Sequence, residues 1–279
     1  MTRGLSTTSL KQSISRPTTQ VVRNRRSIGT TSQASPVKLP QRLKQTAIAE
    51  VLGSLDDRIN SNLRVSHAAE RLAVGKLAQL DRTVLLADIA ESRREVRTDF
   101  DNTIVDHFSL PAFDAGRLPE RCIGSSIKSG KSLMTEPVVL VSKLNPHIPR
   151  VWHALPEPGV MALASTEFCA LRPKTDTTSQ ELWAACASND FAASLLERVT
   201  GTTGSHQRVH LDDVLRVPVK DPRIATRHDA QVVVDLVDRA HAARVESVRL
   251  TSLRDALLPR LLSGALRVRD AETLVGEAA

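Results

Sequence analysis

Two segments of similar sequence, residues 51–59 and residues 232–240, lie far apart in this 279-residue chain. A constant offset of 181 residues superposes them, placing Val51 on Val232. Apolar residues recur at spacings of three and four through both regions, which is typical of amphipathic helices. The repeat therefore predicts a long helix on each side of a middle region of different character.

The predicted helices are too long to bury their apolar stripes alone. The first is expected to follow Pro40, and the second to begin with Asp229 as its N-cap and to be interrupted at Pro259. Three arrangements remain open: antiparallel pairing of the two helices, pairing with another chain, or packing against the middle region. The predicted boundaries are 1–40 for a basic tail, 41–79 for the first helix, 80–228 for the middle domain, and 229–279 for the second helix and a C-terminal tail.

The middle region combines short apolar runs with frequent Pro and Gly. Residues 84–86, 138–141 and 161–164 are expected to form buried strands, whereas residues 180–199 return to a helical pattern. We therefore predict an α+β protein, in which one mixed α/β domain is flanked by two long helices. Of the three arrangements of these helices, we choose the antiparallel coiled coil as our prediction.

Residues 1–40 are rich in Ser, Thr, Gln and Arg and contain no Asp or Glu. No apolar periodicity marks a helix or strand there. Two interpretations stay open: a disordered tail or remnant of something larger, and a basic arm that lies along DNA.

Composition limits the class of partner. The net charge is +7 and the isoelectric point is about 9.8, which favours a polyanion. Only 3% of residues are aromatic and none is Tyr. Duplex DNA is therefore favoured over single strands, which are usually bound by aromatic stacking. No apolar run approaches the roughly 20 residues of a membrane span, so no membrane partner is expected. An odd set of three cysteines without metal-type spacing indicates reduced thiols in a cytoplasmic protein.

Residues 124–132 resemble a phosphate-binding P-loop but depart from its spacing. Five residues separate Gly124 from the Gly-Lys-Ser run instead of four. Pro137 would also end any helix that followed. We therefore expect contact with a DNA backbone, made by Lys128, Ser129 and Lys131, in place of nucleotide hydrolysis.

A second polar loop follows the apolar run at residues 138–141. It carries Lys143, Asn145 and Arg150 on a segment stiffened by proline. Lys and Arg can read guanine and Asn can read adenine in the major groove. The alternative is an ordinary polar loop. His206 and His210 have a spacing that occurs in metal sites, but no third ligand accompanies them, so neither a metal site nor a catalytic set is predicted.

Several segments together resemble the DNA-specificity subunit of type I restriction–modification systems. The match covers about residues 45–270, and the segments that carry it are 47–59 with Asn62, 107–114, 127–131, 141–152, 201–204 and 253–264. The resemblance implies a target recognition domain that reads one half of a split duplex site, and spacer helices that set the distance between the halves. It also implies that the methylation subunits, which carry S-adenosylmethionine, and a motor-nuclease subunit perform the chemistry.

Only residues 1–40 precede the first helix, so the resemblance implies a half-length or truncated subunit with a single recognition domain. Two copies could pair through their helices as a homodimer. We therefore expect a non-catalytic DNA-binding subunit without a cofactor, in which Lys128 and Lys131 contact phosphate and Asn145 and Arg150 contact base edges. The alternative is a scaffold or decoy that binds methylation subunits through its helices and does not read DNA. The recognised sequence stays open.

Overall fold

The computed structural model describes residues 41–92, 95–199 and 207–278. Within these ranges the helices are α1 (Arg42–Ala78), α2 (Leu86–Ile89), α3 (Leu110–Gly116), α4 (Ser179–Cys186), α5 (Asn189–Leu196), α6 (Leu211–Leu215), α7 (Arg227–Ser263) and α8 (Val268–Ala278). The strands are β1 (Thr83–Leu85), β2 (Ala90–Ser92), β3 (Val96–Arg97), β4 (Ile104–Phe108), β5 (Glu120–Ile123), β6 (Lys131–Met134), β7 (Val138–Ser142), β8 (Val151–Ala154), β9 (Met161–Ala164), β10 (Phe168–Pro173) and β11 (Pro218–Lys220). The predicted tail, residues 1–40, lies outside the described residues.

Helices α1 and α7, each of 37 residues, pack against each other in antiparallel orientation. Lys76, near the end of α1, binds Asp229, near the start of α7, at 2.7 Å, and Arg58 and Glu246, near the middle of the two helices, bind each other at 2.7 Å. The predicted α+β class with an antiparallel helical pair is confirmed. We call the antiparallel pair of α1 and α7 the hairpin. The two repeated segments accordingly lie in opposite halves of it.

The ends of α7 differ from those predicted. Its N-cap is Thr226, whose Oγ1 accepts a hydrogen bond from the backbone N–H of Asp229 at 3.1 Å, so Asp229 is the third helical residue and not the cap. The helix also continues through Pro259 to Ser263 and stops at Gly264, which has a φ of 77°. Proline does not break it there because Leu257 and Leu261, on either side, are both buried in the same apolar cluster.

Helix α8, which no sequence pattern predicted, folds back against the free end of the hairpin. Ala271 of α8 is fully buried and packs with Ile48, Leu55 and Leu257 in a separate apolar cluster. We call this group the tip cluster. Helix α8 has only 11 residues and follows Gly264, which ends α7, so the sequence of α8 resembles a C-terminal tail.

The described residues of the middle domain form three sheets. The largest has the strand order β3-β6-β9-β4-β5, with β4 and β9 parallel, and the second has the order β2-β10-β7-β8. The third pairs β1 with β11. The strands predicted at 138–141 and 161–164 are confirmed as β7 and β9. The strand predicted at 84–86 is wrong at Leu86, which begins α2 because the Asp88 carboxylate accepts from the Leu85 N–H at 3.0 Å.

The main core runs without interruption from the middle domain into the hairpin. Leu77 of α1 and Val237 of α7 belong to the same buried cluster as Leu171 and Leu182 of the domain. The predicted division at residues 80 and 228 stays a prediction, because packing crosses both positions.

Candidate nucleic-acid interface

Both predicted contact loops lie at one end of the middle domain. Strand β6 begins where β9 ends, with Ser132 opposite Ala164, and β7 ends where β10 begins, with Ser142 opposite Phe168. The loops at residues 127–130 and 143–150 therefore both border the turn at residues 165–167. We call these three segments the basic end.

Backbone hydrogen bonds hold the second loop in place. The N–H of Lys143 donates to Glu167 O at 2.8 Å, and the N–H of Asn145 donates to Gln207 O at 3.0 Å. A turn inside the loop is closed by the N–H of Ile148, which donates to Asn145 O at 2.9 Å. Lys143 itself is half-buried, and neither a hydrogen bond nor an ion pair occupies its ammonium in the described part of the chain.

Asn145 adopts a backbone conformation that few residues tolerate. Its φ is 50°, in the left-handed region, where Asn is one of the less disfavoured residues. Its side-chain Oδ1 is buried and has no hydrogen-bond partner among the described residues. Since an unpaired buried acceptor costs about 1–3 kcal/mol, a donor from a ligand would stabilise this oxygen, but the loop must first move to expose it.

Arg150 is already engaged by a carboxylate. Its Nε and Nη2 donate to the two oxygens of Asp114 in α3, both at 2.8 Å, and its side chain is only 11% exposed. This bidentate pair holds the pKa of Asp114 below its usual range and that of Arg150 above it, in each case mainly through the side-chain hydrogen bonds. Contact of Arg150 with a base edge stays a prediction, and it would require this guanidinium to leave Asp114 or to share it.

The first loop divides into exposed and buried parts. Lys128 and Ser129 are exposed, whereas Lys131 is buried at the start of β6. The Lys131 ammonium donates to Ser129 O at 2.9 Å and to Ser129 Oγ at 2.7 Å, and burial lowers its pKa. It also lies near the half-buried His107, whose pKa is lowered by burial and then by the Lys131 charge, while Glu120 opposes the shift. Lys128 is thus the better placed of the two lysines to reach a phosphate, although the prediction for Lys131 stays open.

Sequence analysis missed three charged side chains in or beside the basic end: Asp114, Glu167 and Arg208. Asp114 binds Arg150, and Glu167 binds Arg208 at 3.1 Å. They come from separate parts of the chain, and no spacing pattern links them. Together with Lys131 and the two loops they give five cationic side chains against three carboxylates: Lys128, Lys131, Lys143, Arg150 and Arg208 against Asp114, Glu167 and Glu120, which lies opposite His107 in the sheet. This end therefore carries an excess of positive charge.

An aromatic cluster supports the loops from beneath. The Trp152 ring lies 4.9 Å from that of Phe108, 5.8 Å from Phe113 and 6.4 Å from Phe168, measured between centroids. Trp152 and Phe113 are 3% and 7% exposed, so both rings pack inside the domain instead of facing a ligand.

The P-loop-like segment has the wrong local structure for that motif. Gly124–Ser126 forms a single 3₁₀ turn, and strand β6 stands where a phosphate-binding helix would begin. His210 caps α6 and is exposed, while His206 lies outside the described residues. The described residues include no cluster of three His, Cys, Asp or Glu side chains placed to hold a metal ion. Burial raises the pKa of Cys169 to about 11 and raises that of Cys186 further, so neither thiol is activated as a nucleophile.

Among solved structures, the type I restriction-modification system S subunit from M. genitalium resembles this chain over 80% of its length, with 15% sequence identity and a TM-score of 0.51. This chain spans 61% of that S subunit. The HsdS subunit from Thermoanaerobacter tengcongensis matches 80% of this chain and 59% of its own at 16% identity and a TM-score of 0.38. A chain from a structure of the assembly and conformational transition of the type I R-M system matches 64% of this chain and 48% of its own length, with 22% identity and a TM-score of 0.41.

No protein-family model and no curated protein matches the chain. The likeness to the M. genitalium S subunit shows that this chain has the fold of such a subunit over 80% of its length. In the part of the chain that the structure describes, no helix is long and apolar enough to cross a membrane.

Proposed function

We propose that this chain is a sequence-specific duplex DNA-binding subunit that directs a type I restriction–modification complex and performs no catalysis itself. The fold it shares with an S subunit carries this proposal. The basic end adds independent support, because cationic loops at one end of a rigid domain suit contact with a DNA backbone.

The partners follow from this role. We infer that methylation subunits and a motor-nuclease subunit supply the chemistry, that two copies of the chain can pair through their hairpins, and that the complex works in the cytoplasm. Residues 80–228 would then be the recognition module, and α1 and α7 the spacer.

The test is selection of binding sites from a random duplex library by the purified chain, with and without methylation subunits. We expect enrichment of one short sequence, and an affinity that falls steeply as salt increases. Equal binding to all duplexes would contradict a specificity role.

Point variants separate backbone contacts from base contacts. Lys128→Ala and Lys143→Ala should each weaken binding to every sequence alike and reduce the salt slope by about 1. Asn145→Ala should cost about 1–3 kcal/mol and relax selectivity at one base pair. Lys44→Ala is a matched control, because Lys44 is exposed on α1 at the opposite end of the hairpin from the domain. An unchanged sequence preference in Asn145→Ala would remove that residue from the interface.

A second function, protein binding without DNA reading, is favoured by exposed leucines near the tip cluster. Leu43 is 87% exposed, and Leu258 and Leu262 are each 41% exposed. Such a surface suits a partner helix. Under this alternative the chain would bind methylation subunits in pull-down and would shift no duplex in a gel, whether or not those subunits are present.

A further inference from the structure

Part of the loop at residues 143–150 faces the hairpin across a groove. The groove has a volume of about 460 Å³, with Glu70 and Arg71 of α1 on one side and Ile148, Pro149 and Arg150 on the other. Any mechanical connection between the hairpin and this part of the loop must therefore pass around the groove.

Helix α3 lies at the edge of that groove and forms ion pairs with both the hairpin and the loop. Arg117, which ends α3, donates through Nη1 to both carboxylate oxygens of Glu70 in α1, at 3.0 and 3.1 Å. Asp114, three residues earlier, binds Arg150 of the loop with two hydrogen bonds of 2.8 Å. One short helix thus has one ion pair to the hairpin and another to the loop.

The hairpin side of this connection is well fixed. Arg244 of α7 also binds Glu70, so a single carboxylate joins α1, α3 and α7. The side chains of Arg244 and Glu70 are only 13% and 14% exposed. Buried charges hold their geometry more tightly than exposed ones, because losing a partner leaves the other charge desolvated.

The backbone of Arg117 is left-handed. Its φ is 59°, in the left-handed region, at a residue other than glycine. Its guanidinium also lies 5.0 Å from the centre of the Phe113 ring. This conformation closes the end of α3, because the Arg117 N–H donates to Ala112 O at 3.2 Å and to Phe113 O at 3.0 Å, and it places the Arg117 side chain between Glu70 and the Phe113 ring.

From these contacts we propose that α3 is a strut that positions the 143–150 loop relative to the hairpin, with Glu70 and Asp114 as its positioning residues. The strut fixes the loop through Arg150, and the residues it positions are the ones assigned to DNA. The effect on DNA selectivity rests on the proposed function, whereas the effect on the loop does not.

Amide hydrogen exchange tests the strut without DNA. The informative amides are those of Ser142, which donates to Arg150 O at 2.9 Å, and Ile148, which closes the loop turn. We expect Glu70→Gln to accelerate exchange at both by about tenfold or more, with amides in β10 unchanged. Asp114→Asn should do the same, and the double variant should add little, because both changes release one strut.

The matched control is Glu246→Gln. Glu246 also joins α1 to α7, through Arg58, but has no contact with α3. Faster exchange at Ser142 and Ile148 in Glu246→Gln as well would overturn the proposal, since loosening of the hairpin alone would explain it. Unchanged loop exchange in Glu70→Gln would also overturn it, because the Trp183 Nε1 contact with Val151 O at 3.3 Å would then suffice to anchor the loop.

DNA selectivity gives the second readout. Glu70→Gln should lower the ratio of affinities for the selected duplex and a random one, while the salt slope stays that of the unaltered chain, because Glu70 contacts no phosphate. Loop exchange that accelerates as expected in a chain without any sequence preference would support the strut and contradict the proposed function. A preserved affinity ratio in a variant whose loop has loosened would show that the strut does not position the reading residues.

Discussion

Gly124 occupies a position where no side chain fits. A Cβ built there would lie 1.9 Å from the backbone oxygen of Phe100, a buried residue whose carbonyl accepts a hydrogen bond from the Thr103 N–H at 3.0 Å. We expect Gly124→Ala to destabilise the protein by about 1–3 kcal/mol or more, because the contact is with backbone and cannot be relieved by a rotamer change. Urea denaturation measures the loss.

For a second glycine, Gly53, we expect the same substitution to change the free energy of unfolding in the opposite direction. Gly53 lies within α1 with no atom within 4 Å of a built Cβ. Gly53→Ala should raise the free energy of unfolding by about 0.5–1 kcal/mol through helix propensity. Equal destabilisation by both substitutions would show that the Phe100 contact is not the cause.

His153 makes stability depend on pH. Burial, and then the charge of His241, lower the pKa of this histidine to about 4, while Asp238 opposes the shift. Its Nε2 lies 2.9 Å from Ser179 Oγ. The unfolded chain binds the proton near pH 6.5 and the folded chain only near pH 4, so stability is fully present above pH 6.5 and is lost as pH falls between these values. The loss is on the order of 3 kcal/mol.

The variant His153→Gln tests that assignment. Its free energy of unfolding should change less between pH 6.5 and 4 than that of the unaltered chain, although His241, whose pKa burial also lowers, keeps part of the slope. Urea titrations at several pH values measure it. An unaltered slope would mean that His153 is solvated in the folded state.

Among the elements, the middle of the hairpin packs with small and polar residues. Asn62 and Ser66 of α1 and Ser247 of α7 are all buried there. The Ser66 hydroxyl has no partner among the described residues, whereas the Ser247 hydroxyl donates to Ala243 O at 3.0 Å. The interface therefore contains one satisfied and one unsatisfied serine in comparable surroundings.

Ser66→Ala should stabilise the protein by about 1 kcal/mol, because it removes an unpaired buried hydroxyl and adds helix propensity. Ser247→Ala should give no gain, since its hydroxyl already has a partner. Thermal unfolding of the two variants side by side provides the measurement. Destabilisation by Ser66→Ala would show that its hydroxyl has a hydrogen bond in solution.

These elements also show what sequence periodicity can predict. Helices α1 and α7 are evident because their apolar pattern continues over 37 residues. Helix α2, with four residues, is shorter than two helical turns, and α8 follows Gly264, so neither has a pattern long enough to recognise. The offset of 181 residues is imperfect as well: Val51 is buried, whereas at the matching end of α7 the buried residue is Val233 and not Val232.

The candidate site was predictable only in its local part. Lys143 and Asn145 follow an apolar strand, and that sequence context located their loop. Asp114 and Glu167 reach the same end of the domain through sheet register and through α3, which connect segments far apart in sequence. The engagement of Arg150 by Asp114, and the burial of Lys131, depend on those long-range contacts and have no sequence signal.

At the scale of the whole molecule, the distribution of apolar clusters predicts how the protein unfolds. The main core joins the middle domain to the base of the hairpin, whereas the tip cluster is separate. Both tryptophans, Trp152 and Trp183, lie in the domain, so fluorescence reports on the domain and far-ultraviolet circular dichroism mainly on the hairpin.

Leu77→Ala and Leu257→Ala, the same substitution in the main core and in the tip cluster, test whether the two clusters unfold separately. Leu77 is 3% exposed in the main core, and Leu257 is 1% exposed in the tip cluster. Leu77→Ala should lower the free energy of unfolding by about 2–5 kcal/mol. It should lower the midpoints of the unfolding transitions seen by fluorescence and by circular dichroism together, because it removes packing shared by hairpin and domain. Leu257→Ala should lower the dichroism midpoint more than the fluorescence midpoint, because the tip can open while the domain stays folded. Separate midpoints in Leu77→Ala would mean that the hairpin and the domain unfold independently despite their shared core.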